Sequence, residues 1–186
     1  MSERAFVVAL LGAESTGKTT LAAELSDALG RRGDRVVVVG ESLREFCALH
    51  GRTPRQDEQE SIAAEQTRRI ADAAATPGVD AVVADTSAWM IAVYSDLLFA
   101  DTRLYALAEA AHAGTDLTLV TALDLPWVAD GVQRDGAHVR EPVDALLRAA
   151  LVRAGVAFAT IEGTGSARLA AAMATIDSVR RCRPGA

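Results

Sequence analysis

Gly12-Ala13-Glu14-Ser15-Thr16-Gly17-Lys18-Thr19 sets two glycines, a lysine and a hydroxyl at the spacing Gly-x4-Gly-Lys-Thr. The glycines let the backbone curl so that successive N–H groups face inward. Such a nest at the start of a helix attracts phosphate. A lysine placed there reaches the β- and γ-phosphates, and the threonine hydroxyl ligates Mg²⁺. The expected nucleotide contacts are therefore Gly12, Glu14, Ser15, Thr16, Gly17, Lys18, Thr19 and Thr20, with ATP and Mg²⁺ as cofactors. Composition isolates the same spot. Of the 19 basic residues 18 are arginine, and Lys18 is the one lysine. A general preference for arginine accounts for the 18 and leaves Lys18 to be explained. An ammonium is a compact point charge and a guanidinium a wide planar fork, and a cradle of backbone amides has room for the first.

Asp85 closes the apolar run Ala81-Val82-Val83-Ala84. A carboxylate there can hold Mg²⁺ together with Thr19, or activate a hydroxyl. The competing reading is a helix N-cap from Asp85, Thr86 or Ser87. Thr86 follows directly, so the Asp-Glu pair of many motor ATPases is missing. Glu41, in Glu41-Ser42-Leu43-Arg44-Glu45-Phe46, offers a carboxylate to take a hydroxyl proton or bond a sugar diol. Arg44 can stabilise charge on a transferred phosphoryl group. Against both stands a solvated, helix-starting loop. Trp89 either stacks on an aromatic acceptor or belongs to the core. Residues 124–141 are rich in turn formers and carry Arg134, His138 and Arg140. A mobile basic lid there would exclude water, with Arg134 or Arg140 neutralising developing charge. The expected catalytic residues are thus Lys18, Asp85, Glu41 and Arg134. Acceptor contacts are Glu41, Arg44 and Trp89, and the metal ligands are Thr19 and Asp85.

These residues need a frame that brings them to one edge. Short apolar runs at Phe6–Leu11, Arg35–Val39, Asp80–Ala84, Leu117–Leu123 and Ala157–Ile161 read as buried strands. Helical spacing fills Lys18–Arg31, Asp57–Ala75, Ser87–Ala113 (broken near Asp101), Pro142–Arg153 and Ser166–Arg181. Strand and helix alternate, which predicts an α/β fold: a five-stranded parallel sheet with helices on both faces. Ligands of such sheets bind beyond the carboxyl ends of the strands, where Gly12–Thr19, Glu41–Glu45, Asp85-Thr86, Asp124–Arg140 and Glu162–Gly165 all fall. The reading is one domain over residues 1–186, with a loose tail at about 182–186.

A net charge of −6 and a pI near 5.1 do not resemble the basic footprint of a nucleic-acid binder. Cys47 and Cys182 make neither a disulfide framework nor a metal cluster. No signal peptide is visible, and no apolar stretch approaches the roughly 20 residues that cross a bilayer. A soluble cytoplasmic protein is expected, with no nucleic-acid or membrane partner.

Taken together, the motifs resemble the ribosylnicotinamide kinase domain of the bacterial bifunctional NAD-biosynthesis regulator and related standalone P-loop ATPases. The resemblance rests on the Gly12–Thr19 loop with its internal Glu14, on Arg44-Glu45-Phe46, on Asp85-Thr86, and on Trp127-Val128-Ala129-Asp130-Gly131 followed by Arg134. It implies a nucleoside- and nucleotide-kinase-like P-loop fold. It also implies transfer of the ATP γ-phosphate to the 5′-hydroxyl of nicotinamide riboside, giving nicotinamide mononucleotide. A homodimer, common among such kinases, is a further expectation. The alternative is a regulatory P-loop ATPase or nucleotide-dependent binding module with no small-molecule acceptor. A guanine-specific switch is disfavoured, because the chain contains no asparagine for its base-reading motif.

Overall fold

A computed structural model describes residues 4–128 and 137–182. Five strands form one parallel sheet: β1 (Phe6–Leu11), β2 (Val36–Val39), β3 (Ala81–Asp85), β4 (Leu117–Thr121) and β5 (Ala159–Ile161). Their order across the sheet is β2-β3-β1-β4-β5. The three inner strands are buried at every residue, which is why they read as unbroken apolar runs and not as alternating ones. The edge strands β2 and β5 are only partly covered.

Among the described residues seven helices connect and cover the strands: α1 (Lys18–Arg31), α2 (Ser42–His50), α3 (Gln59–Ala75), α4 (Ala88–Phe99), α5 (Leu104–His112), α6 (Arg140–Arg153) and α7 (Gly165–Cys182). Alternation along β1 divides the core in two. Phe6, Val8 and Leu10 face α1 and α7, where they meet Leu21, Leu25, Leu29 and Ile176. Ala9 and Leu11 face the opposite layer, with Trp89, Ile91, Leu147 and Leu151. Each fully buried leucine of α1 contributes about 1.5–3 kcal/mol relative to exposure, and its truncation to alanine costs about 2–5 kcal/mol.

β1 ends at Leu11 and α1 begins at Lys18, as the sequence predicts. Several other element ends shift by one or two residues from expectation, and two differences have local reasons. Residues 42–50 form a helix of their own, α2, ended by Gly51 at φ 66. The helix α6 starts at Arg140 and not at Pro142, because a 3-10 turn over Ala137–Val139 leads into it. Pro142 remains within the first turn, where its missing N–H costs no intrahelical bond. The expected break near Asp101 is present: Ala100 sits at φ 52, and Asp101 Oδ1 accepts the Arg103 N–H at 3.1 Å. Among the described residues no helix is long and apolar enough to cross a membrane. Among the described residues no disulfide forms; Cys47 is buried and Cys182 exposed.

Candidate functional site: a phosphate loop and an adjoining cavity

β1 lies between β3 and β4, so the loop that leaves it emerges where the chain order switches direction, and ligands collect there. Gly12 stands at φ 145, and a side chain on it would overlap the Thr121 hydroxyl. Gly17 takes φ 74 as the N-cap of α1, and a Cβ there would come within 2.9 Å of Leu125. Both positions need the absence of a side chain. No side chain caps α1 and no acid lies in its first turn. Its first N–H groups are therefore left to a ligand, and the helix dipole favours an anion. By contrast, the Ser87 hydroxyl caps α4 through the Trp89 N–H at 3.3 Å.

The loop is braced from below and behind. Thr16 is fully buried; its hydroxyl donates to the Ala13 carbonyl at 2.8 Å and accepts from Thr121 at 2.7 Å. Ser15 Oγ donates to the Val128 carbonyl and accepts the Val128 N–H, at 2.9 and 3.2 Å. Arg168 of α7, only 4% exposed, donates to the Thr16 carbonyl and lies 4.0 Å from Asp124 Oδ1. Burial lowers its pKa, against which Asp124 acts. Sequence reasoning missed Arg168. Lys18 Nζ donates to the carbonyls of Gly12 and Ala13 at 2.9 Å each, folded into the curl of the loop.

Thr19 Oγ1 donates to Asp85 Oδ2 at 2.6 Å. Asp85 is 4% exposed, and its Oδ1 has no hydrogen-bond partner among the described residues. A hydroxyl and a carboxylate with spare lone pairs suit Mg²⁺, which takes few protein ligands and completes its shell with phosphate and water. No cluster of three or more metal-ligating side chains exists among the described residues, in keeping with that mode.

Two cavities adjoin. A cleft of about 700 Å³ is lined by Ser15 to Thr20, Arg44, Leu125, Pro126 and Val128. A smaller cavity of about 40 Å³ is lined by Glu14, Glu41, Thr86, Met90 and Tyr94, together with Gly12. Ser15, Lys18 and Arg44 line both. The structure thus brings Glu41 and Arg44 to the phosphate loop, with Arg44 Nε 3.5 Å from Glu41 Oε2. Glu14 points its carboxylate toward the smaller cavity, where the Tyr94 hydroxyl donates to it at 3.5 Å.

What holds Glu41 in place is Gln66, fully buried on α3. Its Oε1 accepts the Ser42 N–H at 2.8 Å and its Nε2 donates to the Gly40 carbonyl at 3.1 Å. Sequence reasoning missed this residue too, although a glutamine one turn after Ile62 and Ala63, on the apolar stripe of α3, was its signal. Trp89 is a correction. It is 1% exposed, with its ring tilted against Tyr105 and edge-on to His112, so it is core and not a stacking surface. The helix face that reaches the cavity carries Met90 and Tyr94 instead. Arg140 is also buried, donating to the Leu125 carbonyl at 2.9 Å and bracing the segment after β4. Arg134 and the Asp130-Gly131 pair lie outside the described residues.

The chain belongs to the AAA domain family, whose model matches residues 7–168. No curated protein matches it. Two solved structures are similar over 94% of the chain, each with a TM-score of 0.76 and 21% identity: the NadR protein in complex with NAD and AMP-PNP, and the NadR protein in complex with NR. The chain spans about half the length of these structures, 49% and 50% respectively. The shared fold is the α/β P-loop NTPase type with its five-stranded parallel sheet. This likeness to the NadR structures agrees with the family resemblance that the sequence motifs carry.

Proposed function

We propose that the chain is an ATP-dependent small-molecule kinase that phosphorylates the 5′-hydroxyl of a riboside, with nicotinamide riboside as substrate and nicotinamide mononucleotide as product. The observation that carries this reading is the meeting of two cavities at Lys18 and Arg44. A phosphate donor in the larger cleft and a hydroxyl acceptor in the smaller one would face each other across those two cations.

The loop amides and Lys18 hold the β- and γ-phosphates. Glu41, at the acceptor cavity, orients the 5′-hydroxyl and accepts its proton. The oxygen then forms its bond to the γ-phosphorus as the bond to the β-phosphate oxygen breaks, and ADP leaves. Arg44 and Lys18 stabilise the charge on the passing phosphoryl group. Asp85 bonds Thr19 beside the metal position, and Glu41, paired with Arg44 at the acceptor cavity, is the carboxylate assigned here as the base. Thr19 and Asp85 would hold Mg²⁺, which would supply charge neutralisation to the phosphates. The acceptor cavity holds two carboxylates, Glu14 and Glu41, and the hydroxyls of Thr86 and Tyr94. The carboxylates and hydroxyls suit a polyol with a neutral or cationic base, while Lys18 and Arg44, which line the same cavity, face the transferred phosphoryl group. Pyridinium ribosides are cationic polyols.

ADP release measured with a panel of ribosides tests the reading. Nicotinamide riboside is expected to stimulate release above the rate with ATP alone. ATP binding without stimulation by any riboside would overturn it. Partner capture that changes with ATP would then favour a regulatory ATPase.

A further inference from the structure

Thr86 combines three features to which the mechanism above gives no role beyond lining the cavity. It lines the acceptor cavity together with Glu41. It is 1% exposed, and its hydroxyl is buried with no hydrogen-bond partner among the described residues. The threonines around it are satisfied: Thr16 bonds the Ala13 carbonyl, Thr19 bonds Asp85, and Thr121 bonds Thr16 and the Leu11 carbonyl. Buried hydroxyls normally find partners, so an orphan that lines a cavity marks a place where a ligand supplies one.

The third feature is its backbone. Thr86 has φ 91, a region that a β-branched residue rarely enters. Its N–H is shared between the Ala84 carbonyl at 3.0 Å and the Leu10 carbonyl at 3.1 Å. The bond to Ala84 closes a three-residue turn centred on Asp85. This turn sends Asp85 toward Thr19 and sets Thr86 on the wall of the acceptor cavity. Glycine would adopt the same φ without strain. Strain of this kind clusters at ligand sites, where the side chain is held for what it contacts.

The geometry points to Thr86 as an acceptor-binding residue, its hydroxyl bonding a ribose hydroxyl of the substrate. The assignment rests on the riboside-kinase reading and deepens it. Glu41 takes the 5′-hydroxyl, and Thr86 fixes the sugar. Because Thr86 directly follows Asp85, the contact ties the sugar's position to the residue that pairs with Thr19.

Steady-state kinetics of Thr86→Val, Thr86→Ser and Thr86→Gly, with thermal melts of each, test the assignment. Thr86→Val keeps the shape and removes the hydroxyl. It is expected to raise the riboside KM about tenfold, the effect of unpairing one buried hydrogen-bonding group, with the ATP KM unchanged. Thr86→Ser restores the riboside KM to within about twofold. Thr86→Gly melts no lower than the parent, because the strain is relieved, yet raises the riboside KM like Thr86→Val. A merely structural threonine would show the reverse for glycine, a lower melting point with an unchanged KM. Deoxy analogues supply the partner. One ribose hydroxyl, when removed, costs the parent about the same tenfold and costs Thr86→Val nothing further. A Thr86→Val enzyme that turns over riboside with an unchanged KM overturns the assignment and leaves the kinase reading standing. A parent that turns over no riboside overturns both.

Discussion

Lys18 folds back into the backbone curl of the phosphate loop. Its ammonium sits 2.9 Å from each of two carbonyls within the curl of residues 12–17. A guanidinium is wider and planar, and donates as a fork rather than as a point charge. Lys18→Arg is therefore expected to fail nearly as badly as Lys18→Ala. Both lower kcat by at least about 10²-fold, the cost of removing one preorganised donor to developing charge. Circular dichroism and thermal melts are expected to match the parent, because Lys18 is only partly buried and contributes little packing. Full activity in Lys18→Ala would refute the phosphate-loop assignment. Asp85→Asn probes the other half of the pair. An amide can accept the Thr19 hydroxyl bond but carries no charge for the metal position. Turnover is expected to fall more than ATP affinity, as read by kcat against nucleotide Kd. Normal turnover at saturation with weakened ATP binding would make Asp85 a binding residue instead.

At the scale of elements, the site depends on how α3 grips the loop between β2 and α2. Gln66 satisfies the Gly40 carbonyl and the Ser42 N–H on either side of Glu41. Gln66→Leu leaves both without that partner in the core, at about 1–3 kcal/mol for each group unmade. The expected outcome is a lower melting temperature together with a loss of about tenfold in kcat/KM for the acceptor, with the ATP KM unchanged. An unchanged acceptor kcat/KM in a folded Gln66→Leu protein would separate Glu41 from its brace. This element also marks what the sequence could tell. β1 and α1 were legible to the residue, because a continuous apolar run meets a glycine-rich turn and then a 3.6-residue period. The residues after each strand were legible as site candidates from topology alone. The braces were not. Gln66 acts across 24 positions and Arg168 across 152, and no local pattern reports a partner at that distance. Trp89 was misplaced as a ring platform for a related reason. Proximity to Asp85 in sequence says nothing about which way a helix face turns, and α4 turns Trp89 inward while Met90 and Tyr94 line the cavity.

For the molecule as a whole, the sign of its acid response follows from two kinds of group. His112 closes α5, and its Nε2 lies 2.9 Å from the Thr118 hydroxyl. Burial lowers its pKa from the ordinary 6.5. The unfolded chain therefore binds a proton at His112 before the folded chain does. Stability is full above pH 6.5 and falls as pH drops from there toward the depressed folded pKa, below which this contribution levels off. The second group acts at lower pH. Hydrogen bonds from Arg52 hold Glu58 at about 2, and those from Arg68 and Arg69 hold Glu65 at about 2, against 4.5 when unpaired. Their contribution is present above pH 4.5 and is lost between 4.5 and 2, and solvent exposure makes each small. Thermal melts from pH 7.5 to 5.5 thus isolate the histidine. The parent's melting temperature is expected to fall by a few degrees over that range. His112→Gln, which keeps a hydrogen-bonding group and carries no charge at any of these pH values, is expected to hold its melting temperature flat. The variant may not be compared at one pH alone, because the lost packing of the imidazole shifts the whole curve. The slope is the readout, and a His112→Gln slope equal to the parent's would move the acid-sensitive group elsewhere in the fold.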